Sequence, residues 1–143
     1  MRAALRQAEA AAQAGEVPVG AVVVAGGEIV AAARNRTIGD RDPTAHAEIV
    51  AIREAVRRIG NHRLAGASLY VTLEPCIMCA GAIVQARLER VVFGCRDPKA
   101  GALGSVYDIA REARLNHSFA VVGGAEEQRC RELLQEFFRA RRT

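Results

Sequence analysis

The sequence predicts an α/β fold: a five-stranded sheet covered by helices on both faces. Three observations carry this. Strand-like and helix-like segments alternate in the order α-β-β-α-β-α-β-(α)-β-α, the pattern of a sheet with helices packed against it. The last segment places Cys130, Leu133, Leu134, Phe137 and Phe138 at helical spacing, so its apolar stripe faces a core. The 143 residues fit a single domain, residues 1–143, and a 50% hydrophobic share is enough to fill it.

The elements follow in order. Residues 2–14 are alanine-rich and stop at Gly15, a helix with a glycine just past its end. "VPVGAVVV" (17–24) is a continuous β-branched run, like a buried strand. Gly26-Gly27 is a hairpin turn, and "EIVAAARN" (28–35) is the second strand. "TIGDRDPTA" (37–45) reads as loop, with Thr44 able to cap the next helix. That helix runs from about His46 to Ile59, with Ile49, Ile52, Val56 and Ile59 at helical spacing and Gly60 as its stop.

"ASLYVTL" (67–73) is a strand ended by Glu74-Pro75, and "CIMCAGAIVQARL" (76–88) is a helix with proline just ahead of it. "RVVFGC" (90–95) is the fourth strand. "RDPKAGALGS" (96–105) is a glycine-rich loop leading into a short helical stretch through about Ala113. "SFAVVGG" (118–124) is the fifth strand, and residues 125–140 form the last helix.

Composition narrows the function classes. No apolar run approaches the roughly 18 residues of a membrane span. The first 20 residues carry Arg2, Arg6 and Glu9 and no apolar signal-peptide core. Four cysteines without the density of a secreted disulfide scaffold point to a reducing cytoplasm. The net charge is +4, and Lys99 is the one lysine among 20 basic residues. Arginine suits bidentate phosphate contacts, so a nucleic-acid partner fits; genomic base composition explains the same bias equally well.

The chemistry concentrates in two stretches. "TAHAE" (44–48) brings His46 and Glu48, and "EPCIMC" (74–79) brings Cys76 and Cys79. The two cysteines, three apart, share a helical face near a helix start, where thiolate is favoured. Two thiolates and an imidazole suit zinc, and three protein ligands leave the fourth position open to water. Glu48, two residues beyond His46, points away from it in a regular helix and is not a fourth ligand. Beside the metal it is placed to take a proton from water and pass it to substrate. The order His-x-Glu, then Pro-Cys-x-x-Cys, is the zinc-deaminase signature.

Other readings stand beside this one. Cys76 and Cys79 alone could be a redox pair, which leaves His46 and Glu48 without a role. A closed structural zinc needs a fourth ligand from His62, His117, Cys95 or Cys130. Cys95 and Cys130 suit buried packing better, His62 follows a helix-stopping glycine, and His117 precedes a strand.

Beyond the metal motif, "GEVPVGAV" (15–22), "NRTIGDRDPTAHAEI" (35–49), "LYVTLEPCIMCAGAI" (69–83), "RVVFGCRDPKAGALGS" (90–105), "LNH" (115–117) and "LLQEFFRARR" (133–142) resemble the TadA-type tRNA adenosine deaminases of bacteria. The resemblance covers nearly the whole chain. It implies a cytidine-deaminase-like, three-layer α/β/α sandwich with a five-stranded mixed sheet. It also implies a homodimer, one Zn2+ per subunit, and conversion of adenosine to inosine at the wobble position of an arginine tRNA anticodon. Residue by residue, His46, Cys76 and Cys79 match the zinc ligands and Glu48 the proton shuttle. Asn35 matches the purine-binding asparagine, and Ala47 a residue whose backbone meets the base. Asp97 and Lys99 match loop positions near the neighbouring sugar and phosphate.

Several of these residues also have ordinary structural readings. Asn35 and Asp97 suit loop turns, Asp97 directly before Pro98. At the C-terminus, Arg139, Arg141 and Arg142 could contact phosphates and Phe138 could stack on a base. A solvated helix end explains the same residues. Cys95, where the family can hold a smaller residue, and the polar "GGAEEQRC" (123–130) depart from the pattern. A free-nucleobase or nucleoside deaminase, for guanine or cytosine, shares the zinc motif. A non-catalytic zinc-stabilised RNA-binding domain leaves Glu48 unexplained.

Overall fold

The computed structural model describes residues 1–141. Its elements are α1 (Arg2–Gln13), β1 (Gly20–Ala25), β2 (Glu28–Arg34), α2 (Ala47–Ile59), β3 (Ser68–Leu73), α3 (Ile77–Ala86), β4 (Arg90–Cys95), a 3-10 turn (Ile109–Arg111), β5 (Ala120–Val122) and α4 (Glu127–Ala140). The strands form one mixed sheet in the order β2-β1-β3-β4-β5. β1 pairs antiparallel with β2 and β3, whereas β3, β4 and β5 run parallel. α2 and α3 pack together on one face and α1 and α4 on the other, giving three layers.

The core follows from strand alternation. Ala21, Val23, Leu69, Val71, Val91 and Phe93 point to the α2/α3 side and meet Ala51, Ile52, Ala55, Ala80 and Ile83. On the opposite face Leu5 and Ala8 of α1 gather with Cys95, Cys130 and Leu133. α1 lies on the sheet backbone to backbone. Ala4, Ala8 and Ala11 are fully buried, and a Cβ at Gly20 would strike the Ala4 carbonyl and the Ala8 amide.

Four expectations need correction. α2 begins at Ala47 and α3 at Ile77, so His46 and Cys76 are capping residues rather than first-turn residues. Thr44 does not cap α2, because its hydroxyl donates to Asp42 Oδ1 at 2.7 Å within a tight loop. The buried stripe of α2 is Ala47, Glu48, Ala51, Ile52 and Ala55; Ile59 is exposed. Small residues let this helix sit close to the sheet, which rotates the larger aliphatics outward. Finally, the stretch after the 96–105 loop holds a single 3-10 turn and no longer helix.

This topology prepares an active-site edge. Parallel β3 and β4 end on the same side of the sheet, where ligand sites of open α/β sheets form. The polypeptide leaving β3 leads directly to Cys76.

Candidate metal centre and active site

His46 and Cys76 adopt extended backbone (ψ 152° and 176°) immediately before their helices. Pro75 fixes its own φ and bars helix from Glu74, so α3 cannot extend back past Cys76. The two helix N-termini therefore present side chains toward one point. His46 Nδ1 lies 3.6 Å from Cys76 Sγ and 3.5 Å from Cys79 Sγ. The three ligand atoms all lie within 4.8 Å of one another.

These residues fit a zinc ion. With metal bonds of about 2.3 Å to sulfur and 2.0–2.1 Å to nitrogen, a tetrahedron has a nitrogen–sulfur edge of about 3.6 Å. Electrostatics agree. The Cys76 thiol is pulled down to about 3 by a hydrogen bond from Cys79 and then, against the cost of burial, by His46. Cys79 is pushed the other way by the same shared hydrogen bond and by burial. His46 is raised, first by its hydrogen bond to Cys76 and then by the Glu48 charge. A divalent cation held here would favour the thiolate form of both cysteines.

Glu48 is 4% exposed and stands outside the three-ligand cluster. The extended backbone at His46 breaks the helical phase between the two residues, so both face the same cavity of about 270 Å³. Burial pushes the Glu48 carboxyl upward, opposed by its own backbone amide and by His46. A buried carboxyl beside a cluster of metal-ligand types is a candidate acid–base group.

Asn35 and Thr37 form one wall of this cavity, and Glu74, Asp97 and Ala100 the other; Val17, Val19 and Leu73 supply apolar surface. Asn35, just past β2, is 7% exposed, and its backbone amide donates to the Val19 carbonyl at 3.0 Å. Asp97 Oδ1 accepts the Lys99 and Ala100 amides at 3.0 and 3.3 Å, so it also shapes its own turn. Lys99 is exposed on that turn and is not part of the wall. Ala47 is fully buried as the first residue of α2 and does not line the cavity.

Two residues without an assigned role in the sequence frame these walls. Glu16, 2% exposed, accepts the Ile38 and Gly39 amides at 3.1 and 2.7 Å. Glu74 accepts amides from the opposite loop. Neither belongs to a spacing pattern. The one sequence signal is a charged residue bordering an apolar run.

The remaining candidates separate from the centre. Cys95 and Cys130 are buried in the core on the other face. His62 is exposed, and a ring nitrogen of His117 meets the Leu88 carbonyl at 2.7 Å. Phe137 is buried and Phe138 is 45% exposed. Phe138 and Arg139 line a groove of about 570 Å³ with Arg96, Pro98 and Arg131, next to the Asp97 loop. The Arg141 guanidinium lies 3.5 Å from the Phe137 ring centroid, folded back on its own helix. Arg142 lies outside the described residues.

The comparisons agree with this architecture. The family model of the MafB19-like deaminases matches residues 1–142. A tRNA-specific adenosine deaminase of Bacillus subtilis is 49% identical over 139 residues, covering 97% of this chain and 86% of that one. A solved structure from work on A-to-I editing by tRNA:A34 deaminases superposes with a TM-score of 0.91 at 46% identity, covering 94% and 97% of the two chains. A solved guanine deaminase of Nitrosomonas europaea gives a TM-score of 0.78 at 26% identity, over 94% and 80%. By whole-length identity and by shape, the chain belongs to the tRNA-specific adenosine deaminases within the MafB19-like deaminase family.

Proposed function

We propose that the chain is one zinc-dependent deaminase domain, residues 1–143, that converts adenosine to inosine at the wobble position of an arginine tRNA anticodon. The observation that carries this is the buried Glu48 beside a three-ligand metal cluster, in a cavity that opens between two loops. His46, Cys76 and Cys79 would hold one zinc per subunit. When bound with an open position, zinc supplies a Lewis acid that makes water nucleophilic near neutral pH.

The protein's own groups do the rest. Glu48 takes the proton of the attacking water and delivers it to the ring nitrogen next to C6. It then takes the remaining proton from the new C6 hydroxyl and passes it to the amine; the C6 carbonyl forms as the C6–N bond breaks, so adenosine and water become inosine and ammonia. Asn35 holds the purine edge through its side-chain amide. Asp97 accepts a bond from a neighbouring 2′-hydroxyl, which selects RNA, and Lys99 approaches a phosphate. An anticodon loop suits the site because its bases leave the stack more readily than duplex bases.

The groove holding Arg139 and Phe138 adjoins the Asp97 loop and supports a path for the RNA backbone. Arg141 and Arg142 would add charge at its end. A homodimer is supported by exposed Ile77 at the start of α3, with Val106 and Tyr107 nearby. The latter two bond through their amides to Gly101, which bridges to Cys76. No helix among the described residues is long and apolar enough to cross a membrane, and the cytoplasm is the proposed location.

The test is Glu48→Ala. It retains zinc at parental stoichiometry and loses inosine formation by about 10²-fold or more on a wobble-adenosine stem-loop. Near-parental turnover in the zinc-loaded variant would remove Glu48 from the mechanism.

A further inference from the structure

Glu74 lies between β3 and Pro75, two residues ahead of Cys76, and is 2% exposed. A buried carboxylate needs partners, and all of this one's come from a single loop. The Asp97 amide donates to Oε1 at 3.0 Å; the Leu103 and Ser105 amides donate to Oε2 at 3.0 and 3.1 Å. The Ser105 hydroxyl also donates to Oε1. The base of the carboxylate is fixed to the sheet, because the Glu74 amide donates to the Cys95 carbonyl at 2.9 Å. Gly101 makes the room: a Cβ there would overlap the Glu74 carboxylate.

Between β4 and the 3-10 turn the loop holds two isolated bridges and no regular element. Its own turns and the Ala102 amide, which donates to the Pro75 carbonyl at 2.8 Å, shape it together with the Glu74 carboxylate. Yet it carries Asp97 and Ala100 into the cavity wall, opposite Asn35 and Thr37. One side chain thus links the strand that delivers a metal ligand to the loop that faces the nucleotide.

We propose that Glu74 is a positioning residue: its carboxylate holds the backbone of 97–105 in the shape that grips substrate, and it acts through that wall. The proposal rests on the functional reading above for the identity of the substrate. It predicts an effect on binding rather than on the chemical step or on zinc retention.

The experiment uses the full-length, zinc-loaded chain with Glu74→Gln and, separately, Gly101→Ala, which keeps the carboxylate but displaces the loop. Amide exchange is read on the protein alone, and inosine kinetics on a wobble-adenosine stem-loop. Glu74→Gln should speed exchange of the Asp97, Leu103 and Ser105 amides by about tenfold, leaving β4 amides unchanged. KM should rise by about tenfold, with kcat within about threefold and zinc content unchanged. Gly101→Ala should give the same pattern. Unchanged exchange at the three amides, a loss confined to kcat, or zinc loss in proportion to activity would each overturn the proposal. A parent protein that makes no inosine would overturn the functional reading alone, and the exchange pattern would still decide for or against Glu74.

Discussion

Glu48 and Cys130 are both buried, and their surroundings give them opposite uses. Glu48 faces a cavity beside three side chains placed to hold a metal. Cys130 is 1% exposed in the core between α1, α4 and the sheet, and burial pushes its thiol up to about 12, with Cys95 adding to the shift. It is a packing residue, and the pH dependence of stability tests this. In the unfolded chain the thiol ionises near its ordinary value of 9.0. The folded state therefore retains a proton that the unfolded state loses, and stability falls as pH rises from about 9 toward about 12. Urea midpoints should decline over that window, and Cys130→Ala should flatten the decline. An equally steep decline in the variant would assign it to other groups.

The clustering of His46, Cys76 and Cys79, with Glu48 in the same cavity, was legible because these types in this order are rare together. Glu74 was not legible. Its partners are backbone amides 23 to 31 residues away, and every residue but proline offers one.

At the scale of elements, close approach rather than side-chain size decides where α1 sits. Its alanine stripe rests on Gly20, and any added methyl group there meets helix backbone that cannot turn aside. Gly20→Ala should cost about 1–3 kcal/mol. Chemical denaturation checks this, and a variant of parental stability would show that α1 can lift without penalty. The same principle explains what periodicity missed in α2. Isoleucine spacing marked a helix correctly, but alanines form its buried face, and a pattern of large aliphatics cannot report packing made by small ones. The helix expected after residue 105 reduced to one 3-10 turn because the Val106, Tyr107 and Ile109 amides turn back to the Gly101 and Ala102 carbonyls.

For the whole molecule, alternation of strands and helices was enough to anticipate a sheet with helices on both faces. The strand order β2-β1-β3-β4-β5 needed the structure, since nothing local states which strands become neighbours. Charge also acts at this scale. The net charge is +4, and arginines flank the groove beside the Asp97 loop. Removing residues 139–143 should weaken binding of an anticodon stem-loop. The slope of log affinity against log salt should fall by about 0.7 for each phosphate that the shortened chain no longer neutralises. Fluorescence anisotropy across salt concentrations measures both, and an unchanged slope would mean that the C-terminal arginines face solvent alone.

A cavity that acts on adenosine held in an RNA loop must prefer that loop to a free purine. The deciding experiment gives one zinc-loaded preparation a wobble-adenosine stem-loop and free guanine in parallel, following inosine and ammonia. Inosine should form in the RNA, with no ammonia from guanine. Ammonia from guanine with the RNA adenosine left intact would contradict the assignment.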